Sequence, residues 1–209
     1  MDNFILLIFQ LAVLLMSVVI HEFSHGWMAY RLGDPTAKYD GRLTLNPLKH
    51  LDPMGSFFVP LIMLFLTKLF GGGVIFGWAK PVPFNPYNLR DQKYGPAKVA
   101  AAGPAANLLV ALVFGLFLRF VGPYLLSLNP LFLNLIHILG FIIFINVLLA
   151  IFNLMPIPPL DGSKLFFAFL PYKYEKIRIF LERYGLIILL FFIFFILQEV
   201  FAYIILPLV

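Results

Sequence analysis

The chain has 209 residues, of which 62% are hydrophobic and only 12% charged, with a net charge of +5. A soluble domain carries roughly a quarter charged residues, so much of this surface must face lipid, and the modest basic excess fits membrane orientation better than nucleic-acid binding. The absence of cysteine excludes disulfides, thiolate catalysis and cysteine metal sites.

In chain order, Asn3 to Ile20 is an uncharged stretch of 18 residues, long enough to span a bilayer once the following turns are added. The helix is predicted to continue through Arg31 and to stop at Gly33-Asp34-Pro35. Asp2 stands where a signal peptide would have a basic region, and the run leads into His21-Glu22 rather than small residues. The segment is therefore expected to stay in the mature protein. Thr36 to Pro53 is polar and turn-rich, and Met54 to Phe70 is apolar again, interrupted by Pro60. Gly71, Gly72 and Gly73 follow, then Val74 to Lys80 reads as a short strand. Pro81 to Asn88, with three prolines in eight residues, cannot be regular helix. Ala97 to Val121 reads as a spanning helix ended by Gly122-Pro123, and Leu131 to Phe152 as another, ended by Pro156, Pro158 and Pro159. Asp161 to Leu170 reads as a short helix, Tyr172 to Arg183 as an amphipathic basic helix, and Gly185 to Leu206 as the last span.

The expected fold is thus an all-α polytopic membrane protein with about four full spanning helices, a re-entrant helix/strand segment and a short amphipathic helix. It reads as a single domain over 1–209, with a core at about 3–170 and the C-terminal amphipathic and spanning helices in 171–209. Lysine and arginine number four in 31–50, four in 80–98 and five in 164–183, against none in 122–130 or 200–209. With the positive stretches cytoplasmic, the N-terminus lies outside, and Met54 to Lys80 enters and returns on one side. Such irregular backbone is tolerated at membrane depth only where protein or a watery cavity satisfies it. A full span over Met54 to Phe70 is the alternative.

The sharpest chemical signal is His21-Glu22-Phe23-Ser24-His25. Two histidines at i and i+4 share a helix face and can hold one zinc ion, with the intervening glutamate placed to take a proton from a zinc-activated water. A glutamate and two histidines so deep in an apolar helix are costly unless paired or coordinated. A catalytic zinc takes three protein ligands. The best third is Asp161 in Asn153-Leu-Met-Pro-Ile-Pro-Pro-Leu-Asp161-Gly162, although an aspartate ahead of an apolar run also suits a helix N-cap.

These two motifs in their apolar framing resemble the site-2 protease family of intramembrane zinc metalloproteases, in its short prokaryotic branch without a PDZ or regulatory domain. Gly41 to Pro47, His50 to Gly55, Gly77 to Pro83 and Gly103-Pro104-Ala105-Ala106-Asn107 also resemble segments of that branch, so the likeness covers most of residues 10–170. The resemblance implies one Zn2+ held by His21, His25 and Asp161, with Glu22 as general base. It implies a prokaryotic cytoplasmic membrane and transmembrane protein substrates cut within or near the bilayer, while the charge pattern puts the site toward the cytoplasmic side.

Asn107 and Asn153 are candidate donors to a substrate carbonyl as charge develops, or partners of nearby irregular backbone. His50 reads as a turn or hydrogen-bonding residue, and His137 as a bundle-facing one. An edge at Val74 to Lys80 could hold an unwound substrate by strand addition. A zinc transporter, an inactive chaperone-like relative and a hydrolase acting on lipid or small peptides are the rival readings.

Overall fold

A computed structural model describes residues 3–70, 77–129 and 132–193. Seven α-helices occur among them: α1 (Asn3–Arg31), α2 (Thr36–Tyr39), α3 (Val59–Phe70), α4 (Gly95–Leu128), α5 (Phe132–Asn153), α6 (Asp161–Phe169) and α7 (Glu175–Phe191). No strand is present among the described residues. Of the expected strand, residues 74–76 lie outside them, and Gly77 to Lys80 is irregular. Its backbone is nevertheless tied down, because Trp78 N–H donates to Gly55 O at 3.1 Å.

Among the described residues, three helices are long and apolar enough to cross a membrane, within Ile8–Arg31, Gly95–Leu128 and Phe132–Asn153. The fourth expected span, Gly185 to Leu206, is helical through Phe191 and lies outside the described residues from 194 onward. Two expected boundaries are corrected. The helix predicted to end at Val121 runs on to Leu128 with Pro104 and Pro123 inside it. Breaking a helix in apolar surroundings would strand several backbone groups, whereas a proline forfeits one hydrogen bond that neighbours can make good. At the other end, α7 passes through Gly185 without a break, joining what reads in sequence as two elements.

The chain divides into two compact units, one of residues 1–50 and 81–154, the other of residues 51–80 and 155–209. In the first, α1 packs on α4 and both pack on α5. The contact repeats at four-residue spacing, with the small residues Ser17, Ala29, Gly103 and Ala111 interspersed among larger ones. Ser17, His21, His25 and Ala29 are buried along α1, and Val99, Gly103, Asn107 and Ala111 along α4. Ridges so lined let two backbones approach closely. Beyond α1 the chain turns at Gly33, whose φ of +110° suits glycine, and the segment 81–90 folds back along the helix end. Asp34 is fully buried and fastens that segment. Its carboxylate accepts from Thr36 N–H and Oγ1, from Asn85 N–H at 2.6 Å and from Asn88 Nδ2 at 2.9 Å. Ala29, Leu89 and Val99 form the apolar core beneath.

In the second unit, Asp52 caps a short π-helix (Pro53–Phe58) that leads into α3, accepting from Met54 and Gly55 N–H while its own N–H donates to Ser56 Oγ. Gly185 of α7 lies against Pro158, where an added Cβ would come within 2.6 Å of the proline carbonyl oxygen.

Candidate metal centre

The helical pitch of α1 puts His21 and His25 one turn apart on its buried face, with ring centroids 4.6 Å apart and planes at 85°. Each ring is held by its Nδ1. His25 Nδ1 lies 2.7 Å from Val99 O. A carbonyl only accepts, so this nitrogen carries the proton and Nε2 keeps its lone pair. His21 Nδ1 lies 2.5 Å from Asn107 Oδ1, giving the same proton placement. Tethering one ring nitrogen to fix the other as a ligand is the usual support of a metal-binding histidine.

The two Nε2 atoms converge on Gly103 of α4. A Cβ there would sit 2.5 Å from His25 Nε2 and 2.6 Å from His21 Nε2. Any larger residue at 103 would collide with both ring nitrogens, so glycine is what lets them lie this close to α4. Ligand atoms of His21, Glu22 and His25 all lie within 4.8 Å of one another, and imidazole nitrogen with carboxylate oxygen is a donor set that zinc accepts. Glu22 is partly buried, and its Oε2 accepts from Val82 N–H at 2.8 Å. That bond comes from the segment folded back over α1, so the loop anchored by Asp34 also orients Glu22.

Asp161 belongs to the second unit. It is the first residue of α6, 8% exposed, with Lys164 Nζ at 3.7 Å from its Oδ1. The N-cap position of that helix is Leu160, not Asp161. Asn107 and Asn153, read in sequence as candidate contacts to a substrate carbonyl, are placed as follows. Asn107 is wholly buried, with its amide hydrogens directed at Ser17 O (3.2 Å) and Asn146 Oδ1 (2.8 Å) and its oxygen at His21. Asn153 closes α5, and its Nδ2 donates to Leu149 O at 2.9 Å. His50 is fully buried and lies 2.8 Å through Nε2 from Thr44 O. His137 is corrected: it is exposed on α5 rather than turned into the bundle.

Sequence reasoning passed over Ser17, Gly103 as a site residue, Val82 and Asn146. Ser17 and Asn146 had a signal, since each is a polar group in an apolar helix and Ser17 lies one turn before His21. Val82 had none, because it contributes only its backbone N–H.

The family model for peptidase family M50 matches residues 9–196. The chain belongs to peptidase family M50. Within the M50 family it is 34% identical over 196 residues to the "Putative zinc metalloprotease YwhC" of Bacillus subtilis (strain 168), covering 91% of this chain and 84% of that protein. It is 37% identical over 150 residues to the "Putative zinc metalloprotease Rip2" of Mycolicibacterium smegmatis, covering 71% of this chain and 52% of the relative, so it spans about half of that protein's length. An archaeal relative, the "Putative zinc metalloprotease MJ0611" of Methanocaldococcus jannaschii, is 30% identical over 167 residues, covering 78% of this chain and 72% of that protein. No solved structure matches the chain.

Proposed function

We propose that this M50 chain is an integral membrane zinc endopeptidase that hydrolyses peptide bonds of membrane-spanning proteins within or near the bilayer. The observation that carries the reading is the pair of Nε2 atoms of His21 and His25, both left as acceptors by tethered Nδ1 protons and both converging where α4 carries Gly103. The third ligand in this reading is Asp161, taken from its sequence motif, and three protein ligands leave a catalytic zinc one open position. Bound there, zinc supplies Lewis acidity, polarising a carbonyl and acidifying a water.

The chain's own residues supply the rest. Val82 N–H holds one oxygen of Glu22, leaving Oε1 to take a proton from the attacking water. The hydroxyl adds to the scissile carbonyl carbon, and Glu22 passes the same proton to the amide nitrogen as the C–N bond breaks. Asn153, at the end of α5, is placed in this scheme as a donor to the developing oxyanion. The positive stretches 31–50, 80–98 and 164–183 face the cytoplasm, with the N-terminus outside.

The test is cleavage of a single-span reporter in proteoliposomes by the parent and by Glu22→Gln, with zinc quantified in both. The proposal expects Glu22→Gln to keep its zinc and lose at least about 100-fold in rate, the scale of a missing general base. Zinc retained with cleavage unchanged would overturn the role of Glu22, and a zinc-loaded parent that cuts no membrane-spanning reporter would overturn the protease reading.

A further inference from the structure

Behind His21, away from the metal position, lies a chain of buried polar groups that the proposed reaction does not use. It joins three helices in one unit: Ser17 of α1, Asn107 of α4 and Asn146 of α5. Asn107 and Asn146 are both 0% exposed and Ser17 is 3% exposed. Amides placed in apolar helices are costly unless every polar atom finds a partner, and here the partners also impose a direction.

The direction follows from the backbone carbonyls at the far ends, which can only accept. Asn146 Nδ2 lies 2.8 Å from Ile142 O and 2.9 Å from Ser17 Oγ. This fixes the Asn146 amide with its nitrogen toward Ile142 and its Oδ1 toward Asn107. Asn107 Nδ2 then donates to Asn146 Oδ1 at 2.8 Å and to Ser17 O at 3.2 Å. Both amide hydrogens are thereby committed, and Oδ1 is the atom left for His21 Nδ1 at 2.5 Å. The ring must donate from Nδ1, so in the neutral imidazole Nε2 carries no proton and keeps its lone pair. A flipped Asn107 would present N–H to Nδ1, force the proton onto Nε2 and set its own oxygen against Ser17 O and Asn146 Oδ1. Two acceptors therefore oppose the flip.

We propose that Ser17, Asn107 and Asn146 form a directional hydrogen-bond relay that locks His21 in its Nδ1–H tautomer and so sets the metal affinity of the site. These are positioning residues: Asn107 acts through His21, and Asn146 acts through Asn107 without touching the histidine. The inference rests on the reading that His21 and His25 hold the metal, and outer partners of ligating histidines typically contribute 10–100-fold in affinity.

The experiment measures zinc and cobalt affinity in detergent by competition with a chromogenic chelator, for the parent, Asn107→Leu, Asn107→Asp and Asn146→Leu, with folding followed by circular dichroism and gel filtration. The relay predicts a 10–100-fold weakening in Asn107→Leu and about 10-fold in Asn146→Leu. Asn107→Asp still accepts from Nδ1 but sets its second oxygen against Ser17 O and Asn146 Oδ1, so it binds metal less tightly than the parent and more tightly than Asn107→Leu. A role confined to filling buried space predicts the reverse order, with the buried charge of Asn107→Asp the worst. Should the leucine variants fail to fold, the metal-free parent decides. Nitrogen-15 histidine spectra, recorded well above the ordinary imidazole pKa and assigned against His21→Gln, should show His21 protonated on Nδ1. A proton on Nε2, or parent-like affinity in folded Asn107→Leu and Asn146→Leu, overturns the relay. A folded parent that takes up neither metal overturns the site reading on which it rests.

Discussion

Gly103→Ala tests the two ring nitrogens with a single methyl group. An added Cβ would lie 2.5 Å from His25 Nε2, 2.6 Å from His25 Cε1 and 2.6 Å from His21 Nε2. Carbon and nitrogen in comfortable contact stand about 3.5 Å or more apart, so the methyl overlaps both rings by about 1 Å. Neither ring can swing away freely, since turning His25 breaks its bond to Val99 O and turning His21 breaks its bond to Asn107. Overpacking of this kind costs about 1–3 kcal/mol in a well-filled interior, which a chain of this size can survive. Metal binding suffers as well, because the methyl displaces the two ring nitrogens that would hold the ion. We predict that Gly103→Ala remains helical and monodisperse in detergent but binds zinc at least about 100-fold more weakly; that factor is equivalent to about 2.7 kcal/mol and lies within the same steric range. Gly115→Ala, in the same helix with nothing within 4 Å of the added carbon, serves as the control and should bind like the parent. Parent-like zinc affinity in Gly103→Ala would refute the assignment of the two Nε2 atoms packed against Gly103 as metal ligands.

Three further outcomes follow from the packing. Asp34→Ala removes the acceptor of four hydrogen bonds, two from Thr36 and two that pin the segment 81–90 to the end of α1. It should cost about 2–4 kcal/mol, raise protease sensitivity in that segment and, through Val82, lower activity. Burial alone would raise the Asp34 carboxyl, but the hydrogen bonds from Thr36, Asn88 and Asn85 outweigh it and hold it below the usual carboxylate range. A carboxyl depressed on folding contributes stability that is complete above its unfolded value and is lost as pH falls through its folded value. Amide exchange in 81–90 should therefore stay slow until the pH drops below about 4, and protection already lost near neutral pH would count against this role. Gly185→Val should destabilise the second unit by about 1–3 kcal/mol, because its side chain would meet Pro158 O at 2.6 Å and Pro158 Cβ at 2.8 Å. Limited proteolysis between residues 155 and 185 reads that loss directly.

The helices and the two histidines were legible because both rest on short-range rules. Apolar runs of spanning length fixed α1, α4 and α5 to within a few residues, except where Gly122-Pro123 was taken as a stop. That stop signal belongs to water, where a helix end can be hydrated; in an apolar setting the helix continues past the proline. The i, i+4 pair of His21 and His25 needs only helical pitch to converge. Asn107 was singled out as a chemical group, but its partners lie 39, 86 and 90 positions away, and nothing local to residue 107 tells which atom faces which neighbour. The Glu22 contact to Val82 spans 60 positions and involves a backbone donor, so no side-chain pattern encodes it. Gly185 reads in sequence as a seam between two elements. It is instead the point where one continuous helix comes close to Pro158, a meaning that only tertiary packing supplies.

The measurement that tests the central claim most directly is metal stoichiometry. The parent, a His21→Ala/His25→Ala variant and Asp161→Ala are purified in detergent, and transition metals are quantified per chain by mass spectrometry. The account predicts about one zinc per parent chain, none in the double histidine variant, and most of it gone in Asp161→Ala. A folded parent that neither retains nor takes up zinc, or a double histidine variant that holds it as well as the parent, would contradict the account.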